Sequence, residues 1–112
     1  MSDVKHVDDS NFQSEVLDAT GPVLVDFGAT WCGPCQRQLP ILETFATINN
    51  TLVKVCTVDV DDAPRIAAKL GIRGVPTLLM FENGKQTGMK VGLSTMMDLN
   101  SMLVRPAEVT AK

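Results

Sequence analysis

Three cysteines in 112 residues are too few, and too unevenly spaced, for the disulfide framework of a small secreted domain. Positive charge is also scarce: 10 Lys and Arg against 13 Asp and Glu give a net charge of -3 with no basic cluster. Phosphate backbones find little to hold, which argues against nucleic acid as a partner. No apolar run approaches the length of a membrane span, and Met1-Ser2-Asp3-Val4-Lys5-His6 lacks the apolar stretch of a signal peptide. A cytoplasmic protein without a membrane partner is therefore expected. Internal repeats, linkers and low-complexity tracts are absent, and the length suits a single domain over residues 1–112. Its core is expected over about 4–104, with Arg105 to Lys112 a frayed tail.

What the chain does contain is Phe27-Gly28-Ala29-Thr30-Trp31-Cys32-Gly33-Pro34-Cys35, a strand end running into two cysteines three positions apart and then a helix. In a first helical turn that spacing puts both sulfurs on one face, close enough to join and part without large backbone movement. Gly33 tolerates the tight turn, and Pro34 costs nothing where backbone N–H groups are unpaired anyway. The same N–H groups and the positive helix end favour an anion at Cys32. A free cysteine, with a pKa of about 8.5, is only a few per cent thiolate at neutral pH, so a lowered pKa raises the reactive fraction. Cys32 is read as the nucleophile of a reversible dithiol and Cys35, one turn deeper, as the resolving thiol.

Val23-Leu24-Val25-Asp26-Phe27 is an almost continuous apolar run of the kind buried on both faces of a sheet. Asp26 interrupts it. A carboxylate buried there has a raised pKa, suiting it to accept the proton that Cys35 must lose. The bland alternative is an aspartate turned to water or capping a backbone N–H.

Along the rest of the chain, Val4 to Val7 reads as a strand, and Asp8-Asp9-Ser10 starts a helix to about Asp18 with Phe12, Val16 and Leu17 on one face. The helix from Cys35 continues to about Ile48, with Leu39, Leu42, Phe45, Ala46 and Ile48 as its apolar stripe and Pro40 as an expected kink. Leu52 to Val60 is a second central strand, in which Cys56 reads as a small core hydrophobe. Asp61-Asp62-Ala63-Pro64 begins a helix with acidic caps that stops at Gly71. Thr77 to Phe81 and a strand around Met89-Lys90-Val91 flank Asn83-Gly84, a strong hairpin signal. Ser94 or Thr95 caps a last helix whose Met96, Leu99, Met102 and Leu103 read as core packing. The alternating part implies a parallel sheet, to which the hairpin adds an antiparallel edge. By base rate the Val75-Pro76 bond is trans, and the Val75 backbone is free to pair with an extended peptide.

Val25-Asp26-Phe27, Trp31-Cys32-Gly33-Pro34-Cys35, Pro40, Gly71-Ile72-Arg73-Gly74-Val75-Pro76-Thr77, Asn83-Gly84 and Gly92, in this order and spacing, closely resemble the thioredoxin family over nearly the whole chain. The resemblance implies an α/β thioredoxin fold: a central mixed, mostly parallel five-stranded sheet flanked by four helices, the dithiol exposed at a helix N-terminus. It also implies a cis Pro76 against the cysteines, and a flat substrate-binding surface formed by Trp31, Gly74, Val75, Pro76 and Gly92. Asp26 matches the family's buried acid, and Gly33 and Pro34 the pair that tunes its potential. The implied activity is reduction of protein disulfides by a monomer without a bound cofactor, recharged by thioredoxin reductase with electrons from NADPH.

Three positions depart from the family pattern. Gly28 replaces a common aromatic, Thr57 a common lysine near the acid, and Gln36-Arg37-Gln38 a lysine followed by apolar residues, which places polarity beside the dithiol. Two other readings compete. In one, Cys32, Cys35, Cys56 and His6 form a Cys₃His zinc site, although His6 reads more simply as an ordinary strand residue. In the other, the domain is a redox-silent binding module.

Overall fold

The computed structural model describes residues 2–103, so the expected tail from Arg105 lies outside the described residues. The central strand is β2 (Pro22–Gly28), in which Val23, Leu24, Val25 and Phe27 are buried whichever face they point to. That burial explains the unbroken apolar run, because layers of helix cover both sides of the sheet. On one flank β3 (Lys54–Asp59) runs parallel to β2, and β1 (Val4–Val7) parallel to β3. On the other flank β4 (Thr77–Glu82) and β5 (Lys85–Val91) are successively antiparallel, giving the order β1-β3-β2-β4-β5.

Helices α1 (Gly33–Ile48) and α3 (Met96–Leu103) cover one face, where Leu42, Phe45, Ala46 and Leu99 pack on Leu24, Val55, Leu78 and Met80. A π-helical turn at Gln13–Leu17 and α2 (Pro64–Lys69) cover the other, where Phe12 and Val16 meet Val25, Phe27, Cys56, Val58, Leu79 and Phe81. Each fully buried Leu or Phe here contributes about 1.5–3 kcal/mol. The expected five-stranded mixed sheet with four flanking helices is present.

Several local expectations need correction. The first helix widens into the π turn, marked by the Asp18 N–H donating to the Gln13 carbonyl at 2.8 Å. The wider turn brings Leu17, five residues after Phe12, round to the core side. The β3–α2–β4 segment does not continue the parallel pattern. Thr77 opens β4 opposite Phe27, beside the Gly28–Asp59 pair that ends β2 and β3, so β4 starts where β3 ends and runs the other way. Neither Asp61 nor Asp62 caps α2. The Asp9 carboxylate does, accepting from the Arg65 and Ile66 N–H groups at 3.1 and 2.9 Å. In α1, Leu39 and Ile48 are 40% and 66% exposed, the stripe being wider than the face the helix buries. Pro40 sits within α1, which runs on to Ile48.

At the hairpin both turn residues have positive φ, 52° at Asn83 and 81° at Gly84, as the tight turn requires. Thr95 caps α3 reciprocally: its hydroxyl accepts the Asp98 N–H and Asp98 accepts the Thr95 N–H. Met96, Met102 and Leu103 pack on the α1 face of the core, as their spacing predicts.

Candidate active site

Strand β2 delivers the chain to the dithiol and α1 receives it. Cys32 is the N-cap of α1, extended at φ -96° and ψ 115°, with Gly33 and Pro34 opening the helix. Cys32 and Cys35 are joined as a disulfide with their Cα atoms 5.2 Å apart. The Cys35 N–H donates to Cys32 Sγ at 3.2 Å. A backbone donor aimed at this sulfur, together with the positive helix end, favours the thiolate when the bond is open.

The disulfide itself is not exposed: Ala29, Val60 and Val75 pack round it, leaving Cys32 and Cys35 6% and 4% accessible. The exposed dithiol implied by resemblance is thus corrected for the disulfide form, in which both cysteines are buried. Beside them Trp31 is 71% exposed. Its indole N–H donates to Asp61 at 2.9 Å, which anchors the ring's polar edge and leaves its faces to solvent.

The Val75–Pro76 bond is cis, as the resemblance implies and against the base rate. Cys32 Sγ lies 3.8 Å from the Val75 carbonyl oxygen. Gly92, at φ 97°, donates its N–H to the Pro76 carbonyl at 2.8 Å. Trp31, Gly74 and Val75 line a shallow groove of about 150 Å³ with Val60, Ile72 and Arg73. A larger depression of about 460 Å³ between Thr20 and Lys54 lies at the opposite end of β2 and is lined by no cysteine.

Asp26 is buried in β2, flanked in register by Thr57 of β3 and Leu78 of β4. Its Oδ1 meets no hydrogen-bond donor among the described residues. Burial pushes its pKa up to about 7. Gly28 is two residues on, about 7 Å along the same face, and a Cβ there would lie 3.4 Å from Cys35 Sγ. A cleft of about 170 Å³, lined by Asp26, Gly28, Gln36, Leu39, Thr57 and His6 among others, leads from the carboxyl to solvent. Its walls are mostly apolar, but Asp26, Thr57 and Gln36 supply polar partners and there is room for a few waters.

The zinc ligands do not converge. His6 pairs in register with Thr57 while Cys56 is the preceding residue, so their side chains leave the sheet on opposite faces. Among the described residues no group of three potential ligands could hold a metal ion.

Two residues of this region escaped the sequence reading. Asp61, read as a helix cap, holds Trp31. Gln38, read as polarity beside the dithiol, is completely buried, and its side-chain amide bonds the Ser94 backbone at both ends. Only their polar character was visible, because each partner lies tens of residues away.

The thioredoxin family model matches residues 3–105. The chain is 42% identical over 90 residues to the thioredoxin of Rickettsia prowazekii (strain Madrid E), covering 80% of this chain and 86% of that one. It is 43% identical over 89 residues to the thioredoxin of Rhodospirillum rubrum, with 80% and 86% covered. Thioredoxin 1 of Nostoc sp. (strain PCC 7120 / SAG 25.82 / UTEX 2576) is 45% identical over 92 residues, with 82% and 86% covered. With its redox-active cysteine pair closed at the start of α1, the chain belongs to the thioredoxin family and is a thiol-disulfide oxidoreductase.

Proposed function

We propose that the protein works in the reducing direction, as a protein-disulfide reductase whose nucleophile is Cys32. The Cys32 thiolate attacks one sulfur of a substrate disulfide, forms a mixed disulfide and expels the other sulfur as a thiolate. The Cys35 thiol gives its proton, through a water, to the Asp26 carboxylate. Cys35 then attacks Cys32 Sγ, closing the Cys32–Cys35 bond and releasing the second substrate thiolate. Two electrons pass from the protein dithiol to the substrate, and no bound cofactor takes part.

The observation that carries the choice of Cys32 as nucleophile is the Cys35 N–H directed at Cys32 Sγ, which favours the anionic form of that sulfur. An Asp26 pKa of about 7 supports the proton step, since the carboxyl is then about half ionised near neutral pH. Trp31, Gly74, Val75, Pro76 and Gly92 serve as the substrate-binding surface, with Gly33 and Pro34 tuning the potential. Thioredoxin reductase, drawing on NADPH, regenerates the dithiol, so that the protein acts as a monomeric electron carrier in the cytoplasm. One domain over residues 1–112 suffices for this cycle.

The test is Cys35→Ser with a disulfide-bonded protein such as insulin. A trapped mixed disulfide through Cys32, seen by mass spectrometry and released by dithiothreitol, is expected, while Cys32→Ser is inert. Normal turnover by Cys35→Ser would refute the scheme.

A further inference from the structure

Gln38 belongs to α1 and lies one turn after Cys35 on the same buried face. Its Nε2 donates to the Ser94 carbonyl at 3.0 Å and its Oε1 accepts the Ser94 N–H at 2.8 Å. Ser94 falls between the end of β5 and the start of α3, where no sheet ladder is available for its backbone, and it is completely buried. The amide of Gln38 thus stands in for a neighbouring strand. Without it, a buried N–H and a buried carbonyl would both be unpaired.

The consequence reaches the dithiol through a closed circuit. Gln38 holds Ser94; two residues before Ser94, the Gly92 N–H holds the Pro76 carbonyl; the Val75 carbonyl lies against Cys32 Sγ; and Cys32 caps the helix that carries Gln38. Val75, Pro76 and Gly92, the far side of the substrate-binding surface, are thereby set at a fixed distance from the attacking sulfur.

We propose that Gln38 is a positioning residue for polypeptide substrates: by clamping Ser94 it fixes the Gly92–Pro76 edge relative to Cys32, and so selects disulfides carried in extended protein segments over small free disulfides. The inference rests on the docking role proposed for this surface. A small disulfide needs only the thiolate, whereas a segment paired along Val75 needs that edge in register with the sulfur.

The experiment compares reduction of insulin with that of 5,5′-dithiobis(2-nitrobenzoate) by Gln38→Leu. The variant is expected to lose about tenfold in kcat/KM for insulin, through KM, while the small-disulfide rate and the Cys32–Cys35 reduction potential stay unchanged. Equal loss on both substrates, or no loss on insulin, overturns the proposal. Gln38→Glu tests it where Gln38→Leu fails to fold. The neutral carboxyl at low pH donates and accepts like the amide, whereas the carboxylate faces the Ser94 carbonyl unfavourably. The insulin-to-small-disulfide rate ratio of this variant therefore falls with rising pH relative to the unmodified protein, and a pH-independent relative ratio overturns the role of Gln38. Trp31→Ala separates the two layers: a lowered ratio there with unchanged ratios in the Gln38 variants rejects Gln38 alone, and unchanged ratios in all three reject the docking surface as well.

Discussion

Replacing Asp26 by asparagine should stabilise the oxidised protein, and by an amount that depends on pH. Burial raises the Asp26 pKa from 3.8 to about 7, which penalises the charged form in the folded state. At about pH 3 and below the carboxyl is largely protonated whether the chain is folded or not, and the penalty vanishes. Between about pH 4 and pH 7 the native state holds a proton that the unfolded chain releases, so stability falls by up to about 1.4 kcal/mol per pH unit. Above pH 7 the penalty is complete at about 4 kcal/mol, from a shift of about three units at 1.36 kcal/mol each. The asparagine of Asp26→Asn carries no charge at any of these pH values, so the advantage of the variant should grow from near zero at about pH 3 to about 4 kcal/mol at about pH 8. Urea unfolding followed by Trp31 fluorescence, at matched pH values on the disulfide form, measures the difference. Asp8, Glu15 and Asp98, whose pKa values hydrogen bonds hold low, lose stability as pH falls but do so equally in both proteins. A difference that stays flat across this pH range would refute the reasoning.

Three further outcomes follow from particular contacts. Thr57→Lys places an ammonium in register beside Asp26, and the midpoint of that pH dependence should drop by about 1–3 units. An unchanged midpoint would mean that the lysine turns away into the cleft mouth. Asp9→Ala removes the distant cap of α2 and should cost about 1 kcal/mol, read as a lower urea midpoint with an unchanged slope. Gly84→Ala should cost at least about 1–2 kcal/mol, because φ is 81° and the new Cβ would sit 2.8 Å from the Leu17 carbonyl oxygen. Wild-type melting behaviour in that variant would show that the hairpin can shift.

Features that depend on neighbours along the chain were legible in the sequence. Val4–Val7 reads directly as a strand, the buried run round Asp26 as a central strand, and Asn83-Gly84 as a hairpin. The Cys32–Cys35 spacing likewise specifies a closed pair at a helix start. What was hidden depends on residues far apart. Asp9 reaches α2 across 56 and 57 positions, Gln38 reaches Ser94 across 56, and Trp31 reaches Asp61 across 30. A polar side chain announces that it needs a partner, not which one, so Asp61 read as a cap and Gln38 only as polarity beside the dithiol. The direction of β4 was hidden for the same reason, since β4 takes its direction from pairing with β2, far earlier in the chain, and not with β3. The cis state of Pro76 came from family resemblance, since nothing local to Val75-Pro76 overrides the trans preference.

Cys56 gives the molecule a built-in gauge of its own breathing. It lies at the middle of β3 between β1 and β2, wholly covered, with burial pushing its thiol up to about 11. With Cys32 and Cys35 joined, it is the free cysteine. An alkylating reagent reaches it only in those moments when the core layer carrying Phe12 and Val16 opens from the sheet. Its labelling rate, divided by that of the unfolded chain, therefore counts how often this half of the core opens, with no foreign probe added.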